Sequence, residues 1–443
     1  VERPLRICFA AYRGNMQCGG QGIYLWFLAR ELARLGHSVH ALVGPPHPDS
    51  MPFAREVVEI PNQRFWGRWF ARDFAGMLQP ERPLAILSPL QLWELGASWL
   101  GFFPEPFAFS ARAFRHLAAA LRSGQRFDLV HDVQSLGWGM LGLRALGLPL
   151  VSTVHHPISV DRRASFTRDT NLREAIGTAE FHPVGMQAFV ARRLDRVLTS
   201  SEWSARQIAR DFGVSPARVT NVWNGLDTEL FSPDPALSRH QAELLCVGRS
   251  GDPNKGIRTL IEALAQLPPS VTLTLVDDAR SENEVFRWAQ RAGVAERLRV
   301  SGRVSQERLV ELYRRATLVV VPSRFEGFGL PAVEAMACGA PVVACCAGAL
   351  PEVMRATGGG LVVPRDDPDA LAKGVATLLE QPDARAEIGE RARRRVNELF
   401  SWPRVAAATA QVYAAVLAER RGRPTTTSTS AQSGTRRATA SRS

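Results

Sequence analysis

The feature that most restricts this chain is a rhythm, short apolar runs alternating with helix-period stretches, and it occurs twice. Leu5 to Ala10 is an apolar run that leads through the glycine-bearing loop Arg13–Gly22 into a stretch of helical period from Ile23 to Leu35. Further runs follow at Val39–Val43, Leu129–Val130, Leu150–Val154 and Val197–Thr199, with helical stretches between them. A second series begins at Glu243, with runs near Leu244–Val247, Val271–Val276, Arg299–Val300, Leu318–Val321, Val342–Ala344 and Leu361–Val363. Strands alternating with helices imply parallel sheets, because parallel neighbours need a long crossover connection. The class is therefore α/β, and 443 residues are too many for one ordinary core. Two doubly wound domains are expected.

The expected boundaries are 1–235 for the first domain and 241–400 for the second, with Ser232–Gln241 as linker. From about 61 to 111 the rhythm breaks into an aromatic and proline-rich stretch that includes Phe65, Trp66, Trp69, Phe70, Trp93, Trp99, Phe102 and Phe103. It reads as an insertion or lid. Arg64, Arg68 and Arg72 interleave with its aromatics, as in interfacial segments. Ser401-Trp402-Pro403 opens a final helix, 401–418, with Ser401 as N-cap and proline in the first turn, expected to pack back toward the first domain. Residues 420–443 form a Thr/Ser/Arg-rich segment without apolar period, expected to be disordered.

The net charge of +11 favours a polyanionic neighbour without choosing among nucleic acid, anionic membrane and phosphorylated ligand. The six cysteines have no spacing suited to zinc or a redox pair, so reduced, buried thiols are expected. No run reaches the roughly 18–20 apolar residues of a membrane span. Val1 to Phe9 reads as a strand rather than a signal peptide, so a cytoplasmic location is expected.

Two loops carry the chemistry. After the run ending at Val247 comes Gly248-Arg249-Ser250-Gly251-Asp252-Pro253-Asn254-Lys255-Gly256, which puts Arg249 and Lys255 in one loop before a helix. Helix N-termini favour anions, so this is a phosphate cradle, although not a P-loop. After Val321 comes Arg324-Phe325-Glu326-Gly327-Phe328-Gly329-Leu330, with Glu334 eight positions beyond Glu326. Glu326 would sit in the loop and Glu334 a turn into the helix, both facing one crevice. Such carboxylates suit hydrogen bonds to vicinal hydroxyls, one set on a sugar and one on a ribose.

With these residues the chain resembles the retaining glycosyltransferases of family four, which have two Rossmann-like domains facing across a cleft (GT-B). The resemblance spans most of residues 5–418 and includes the turn from Asn224-Gly225-Leu226-Asp227 to Phe231-Ser232-Pro233. It implies a nucleotide-sugar donor whose diphosphate is held by Arg249 and Lys255. Glu334 would hold the ribose, and Glu326 the donor sugar together with the backbone of Phe328, Gly329 and Leu330. Gly19 and Gly20 match the family's glycine loop, and His155 matches its histidine near the reacting carbon, with His156 one residue away from that assignment. Retention would need no dedicated nucleophile, since the leaving phosphate can take the acceptor's proton on the same face. Many family members act on lipid-linked acceptors, so the acceptor is either lipid-linked or soluble. Peripheral contact with an anionic membrane at the inner face is compatible, and no nucleic-acid partner is expected.

No metal or other cofactor is expected. Asp367-Pro368-Asp369 mimics an Asp-x-Asp metal motif, but it opens a helix, where aspartates cap free N–H groups. One departure from the family pattern is Ala349, where a second glycine is usual; a less permissive backbone there bears on donor specificity. The competing readings are a nucleotide-sugar epimerase or hydrolase on the same fold, and a binding protein that uses its basic surface.

Overall fold

The computed structural model describes residues 3–422 apart from 17–19, 49, 62–72, 74–83, 85–86, 101, 167–177, 179–182 and 278–281. The first half forms a parallel sheet of β1 (Arg6–Ala11), β2 (Ser38–Val43), β3 (Glu56–Glu59), β4 (Leu129–Val133), β5 (Leu150–Thr153), β6 (Arg196–Thr199) and β7 (Val219–Asn221). Its spatial order is β3-β2-β1-β4-β5-β6-β7. The second half forms β8 (Glu243–Val247), β9 (Thr272–Val276), β10 (Leu298–Val300), β11 (Leu318–Val321), β12 (Val342–Cys345) and β13 (Gly360–Val363), in the parallel order β10-β9-β8-β11-β12-β13.

In the first half the described helices are α1 (Gly20–Arg34), α2 (Pro89–Trp99), α3 (Glu105–Arg122), α4 (Gly139–Ala145), α5 (Ile158–Phe166), α6 (Val184–Ala191) and α7 (Glu202–Phe212). The second half carries α8 (Ile257–Leu264), α9 (Glu282–Arg291), α10 (Gln306–Arg315), α11 (Leu330–Ala337), α12 (Leu350–Thr357), α13 (Pro368–Leu379) and α14 (Pro382–Phe400), and α15 (Trp402–Arg421) follows. Central strands such as β1, β8 and β11 are largely apolar on both faces, and β4 is buried on both with His131 and Asp132 included, because helices cover both sides of each sheet. The strand order reverses between β1 and β4 and again between β8 and β11. Crevices open at such switch points, outside the carboxyl ends of the strands, so the loops after these four strands are where a ligand would lie.

The last helix belongs to the first domain's core. Trp402 lies flat on Phe27, with ring centroids 5.3 Å apart, and Val405, Ala410, Tyr413 and Val416 are buried among residues of β1, β2 and α1. The chain thus crosses between domains twice, and the crossings touch: the Leu226 N–H donates to Phe400 O at 2.7 Å, and Leu226 bridges to Ser401. Gly225 admits this, since a β-carbon there would lie 2.2 Å from the Trp402 ring.

Several expectations change. The aromatic stretch is not irregular throughout, because α2 and the first turns of α3 lie within it; Arg64, Phe65, Trp66, Arg68, Trp69, Phe70 and Arg72 fall outside the described residues. Ser401 occupies the N-cap position of α15 with extended backbone, but its side chain makes no capping bond. Among the cysteines, Cys346 is exposed while Cys8, Cys246, Cys338 and Cys345 are buried, and Cys18 lies outside the described residues. The tail beyond 422 also lies outside them. Asp367 does cap α13: its Oδ1 accepts from the Ala370 N–H at 2.9 Å. No helix among the described residues is long and apolar enough to cross a membrane.

Candidate active site

The loops after β1, β4, β5, β8 and β11 meet around a cavity of about 340 Å³ lined by Gly20, Gln134, His155, Lys255, Glu326 and Phe328, among others. Both domains contribute. At its centre the Lys255 ammonium donates to Glu326 Oε1 at 2.7 Å, and Ser323 Oγ donates to the same oxygen at 2.8 Å. That leaves Oε2 of Glu326 and the remaining ammonium protons to serve a ligand. Gly256, at φ 61°, turns the chain directly after Lys255 against the Pro322 carbonyl, which a β-carbon would approach to 2.0 Å. The positions of Lys255 and of the β11 loop are therefore fixed together.

Phe328, Gly329 and Leu330 reach the cavity at the start of α11, and Gly329, at φ 93°, is its N-cap without a side-chain cap. Gly20 opens α1 on the facing wall. Two helix N-termini therefore approach one space, which favours an anion there. Gly19 lies outside the described residues. Glu334 is one turn into α11, where its Oε2 accepts from the Tyr313 hydroxyl at 2.8 Å. Burial pushes its pKa up to about 7; the Tyr313 hydrogen bond opposes the shift and the nearby Glu326 charge adds to it. Arg249 follows β8 and is exposed, and its guanidinium has no hydrogen bond or ion pair among the described residues.

His155 and His156 follow β5 and both line the cavity. The His155 ring meets the edge of Tyr24 from α1 at 4.8 Å, and its Nε2 is buried without a hydrogen-bond partner among the described residues. Burial first, and the neighbouring His156 second, push its pKa down to about 4, so the ring is neutral at neutral pH. His156 turns the other way, toward Phe325, with centroids 5.8 Å apart. Behind them is a buried chain: Tyr24 OH meets Thr153 Oγ1 at 2.9 Å, Thr153 Oγ1 meets His131 Nε2 at 2.7 Å, and His131 Nδ1 meets Tyr413 OH at 2.5 Å. The last helix thus reaches by hydrogen bonds to the residue that braces His155.

Sequence reasoning missed three groups. Gln134, at φ 55°, accepts from the His155 N–H at 3.0 Å and donates to His156 O at 3.1 Å, clamping the histidine turn from the β4 loop. Ser201 caps α7 by accepting from the Ser204 N–H at 3.0 Å, while its hydroxyl donates to the Gly327 carbonyl across the cleft at 2.9 Å. Glu352 of α12 then accepts from the Glu202 and Trp203 N–H groups at 3.2 and 3.1 Å, so a carboxylate of one domain holds a helix N-terminus of the other. Ala349 is not strained: Gly348 takes the left-handed turn at φ 55° against Glu326 O, whereas Ala349 has right-handed helical backbone at φ −82°.

Two facing doubly wound domains with a ligand-sized cavity at their junction are the GT-B architecture. Residues 18–230 match the model of Glycosyltransferase Family 4, and residues 227–395 match that of Glycosyl transferases group 1. The chain is 38% identical over 418 residues to the MMP alpha-(1->4)-mannosyltransferase of Mycolicibacterium hassiacum, covering 94% of this chain and 99% of that protein. It is 30% identical over 430 residues to D-inositol 3-phosphate glycosyltransferase 2 of Catenulispora acidiphila, covering 90% and 91%. Among solved structures, the sucrose-phosphate synthase of Thermosynechococcus elongatus superposes with a TM-score of 0.68 at 24% identity, covering 94% of this chain and 100% of that one. Anabaena HepE in complex with UDP superposes with 0.67 at 20%, covering 93% and 100%. This protein belongs to glycosyltransferase family 4.

Proposed function

We propose that this enzyme transfers a hexosyl group, mannosyl in the first instance, from a nucleoside-diphosphate sugar to an acceptor hydroxyl, with retention and without a metal. The observation that carries the proposal is the Lys255–Glu326 pair, 2.7 Å apart, at the meeting point of two helix N-termini and His155. Lys255 and the N-termini of α1 and α11 would stabilise the charge that develops on the departing diphosphate, with Arg249 swinging in from the β8 loop. Glu326 Oε2 would accept from donor-sugar hydroxyls, and Glu334, already braced by Tyr313, from the ribose. His155 is neutral at working pH, so it would orient the sugar through Nε2 rather than act as an acid. The leaving phosphate would take the acceptor's proton on the same face. Metal-free transfer is supported by this cationic cradle and by the use of Asp367 as a helix cap.

The mannosyl assignment rests on the mannosyltransferase that is 38% identical across nearly the whole chain. A nucleotide donor is supported by the bound UDP of HepE, a protein of the same fold. The test is a thermal-shift screen against UDP, GDP, ADP and dTDP and their hexose conjugates, with and without EDTA. One nucleotide should raise the melting temperature regardless of chelator, and Lys255→Ala should reduce that shift by the equivalent of about 1.5–3 kcal/mol. Stabilisation that vanishes in EDTA would overturn metal independence. A null response to every nucleotide would overturn the donor site.

A further inference from the structure

The cleft absorbs few of the aromatics that stood out in the sequence. Several of them surround a second cavity, about 810 Å³, in the first domain between α2, the α2–α3 connection, α3, the start of α4, α5 and α6. Trp93, Leu100, Phe102 and Trp138 line it while 44%, 65%, 45% and 42% exposed. They are held rather than loose: Trp93 packs on Phe107 with centroids 4.3 Å apart, and Trp138 packs on Phe189 at 4.8 Å. Among the described lining residues Arg162 alone is charged. Large rings left partly in water around a cavity of ligand size leave apolar surface uncovered, which marks a binding groove.

Side-chain contacts join the wall of this groove to the wall of the active site. Trp138 lies four residues beyond Gln134, at the end of the β4 loop that clamps His155 and His156, and Arg162 sits on α5, the helix that begins two residues after His156. On the α1 side, the Arg13 guanidinium spans the rings of Phe103 and Tyr12, at 5.7 and 5.5 Å, and Tyr12 OH accepts from Gln21 beside Gly20. The groove is thus a continuation of the first domain's wall of the cleft, where an acceptor must approach. Its lining offers little to bare hydroxyls, and a polar group buried without a partner is costly.

We infer that this groove is an acceptor subsite selecting a glycoside that carries an alkyl or aryl group, with Trp93 and Trp138 as its walls. The inference builds on the glycosyl-transfer reading, yet its test needs no donor. Calorimetric titration of the full chain with octyl, phenyl and methyl α-mannoside, each below any micellar concentration, separates the cases. Octyl or phenyl mannoside should bind at least about tenfold more tightly than methyl mannoside. Trp93→Ala and Trp138→Ala should each remove most of that preference while leaving a cooperatively folded protein with nucleotide-diphosphate affinity unchanged. Equal affinity for all three mannosides overturns the inference, as does unaltered octyl and phenyl binding in both variants. Co-sedimentation with phosphatidylglycerol vesicles that is lost in the same two variants also overturns it, in favour of a membrane-facing patch. An intact preference alongside failure of every nucleotide to bind would leave the groove standing and remove the donor reading instead.

Discussion

The most revealing perturbation is Glu352→Ala, which touches no group facing the cavity yet should open the cleft. Glu352 accepts two N–H groups at the start of α7, at 3.2 and 3.1 Å. A hydrogen bond to a charged group contributes about 1.5–3 kcal/mol, so two would give roughly twice that if both were fully dry. They are not: Glu202 is exposed, and burial has already raised the Glu352 pKa against the pull of these same bonds, so desolvation consumes part of the gain. Water can also satisfy the released N–H groups. The net loss should be about 1.5–3 kcal/mol, equivalent to a shift of about 10- to 100-fold toward the open form. Both domains line the cavity, so a shift toward an open form should lower kcat/KM for the donor by that factor, and Glu352→Gln, which keeps an acceptor oxygen, should fall between. Steady-state nucleotide release, paired with small-angle scattering, provides the assay. An Ala variant with kcat/KM within twofold of the parent and the same radius of gyration would refute the reasoning.

Three further outcomes follow from the geometry. The Glu334 pKa is raised from 4.5 to about 7 in the folded protein, so its contribution to stability is full below pH 4.5 and lost as pH climbs through about 7, about 3 kcal/mol in all. Glu334→Gln should abolish that loss in denaturant melts of ligand-free protein between pH 5 and 8; His155 and His131, whose values are depressed, lose stability as pH falls and so cannot mimic it. If the difference between the two proteins stays flat across that range, Glu334 titrates normally. Gly256→Ala forces a β-carbon toward Pro322 O and an unfavourable φ, and should cost at least about 1–3 kcal/mol in urea unfolding; a midpoint unchanged from wild type would contradict it. Trp402→Ala empties a fully packed position between Phe27 and Gly225 and should cost about 3–5 kcal/mol, again read by the urea midpoint.

Most central strands were legible because both their faces are covered, which writes them as apolar runs; β4 showed only as Leu129–Val130, since His131 and Asp132 are buried in its second half. The two that escaped, β3 and β7, are the edges of the first sheet. β3 reads Glu-Val-Val-Glu and is mostly exposed, and β7, Val-Thr-Asn, is only half-buried, so neither carries an apolar run. In the site, Lys255, Glu326 and Glu334 could be found because one short loop or helix turn brings charged and glycine residues together. Gln134, Ser201 and Glu352 could not. Their partners lie 21, 126 and 150 positions away, and nothing local distinguishes a clamping glutamine from a solvated one.

The placement of α15 bears on how the protein is made. The ribosome completes the first sheet long before residues 402–416 emerge, yet Trp402, Tyr413 and Val416 are part of that sheet's core, and His131 awaits the Tyr413 hydroxyl. Domains usually fold in order of synthesis. Here the domain made first must finish last, with Phe27 uncovered and His131 missing one hydrogen bond until the later domain has been threaded out. During that interval the nascent chain offers chaperones an apolar seam, which closes only when translation has passed Val416.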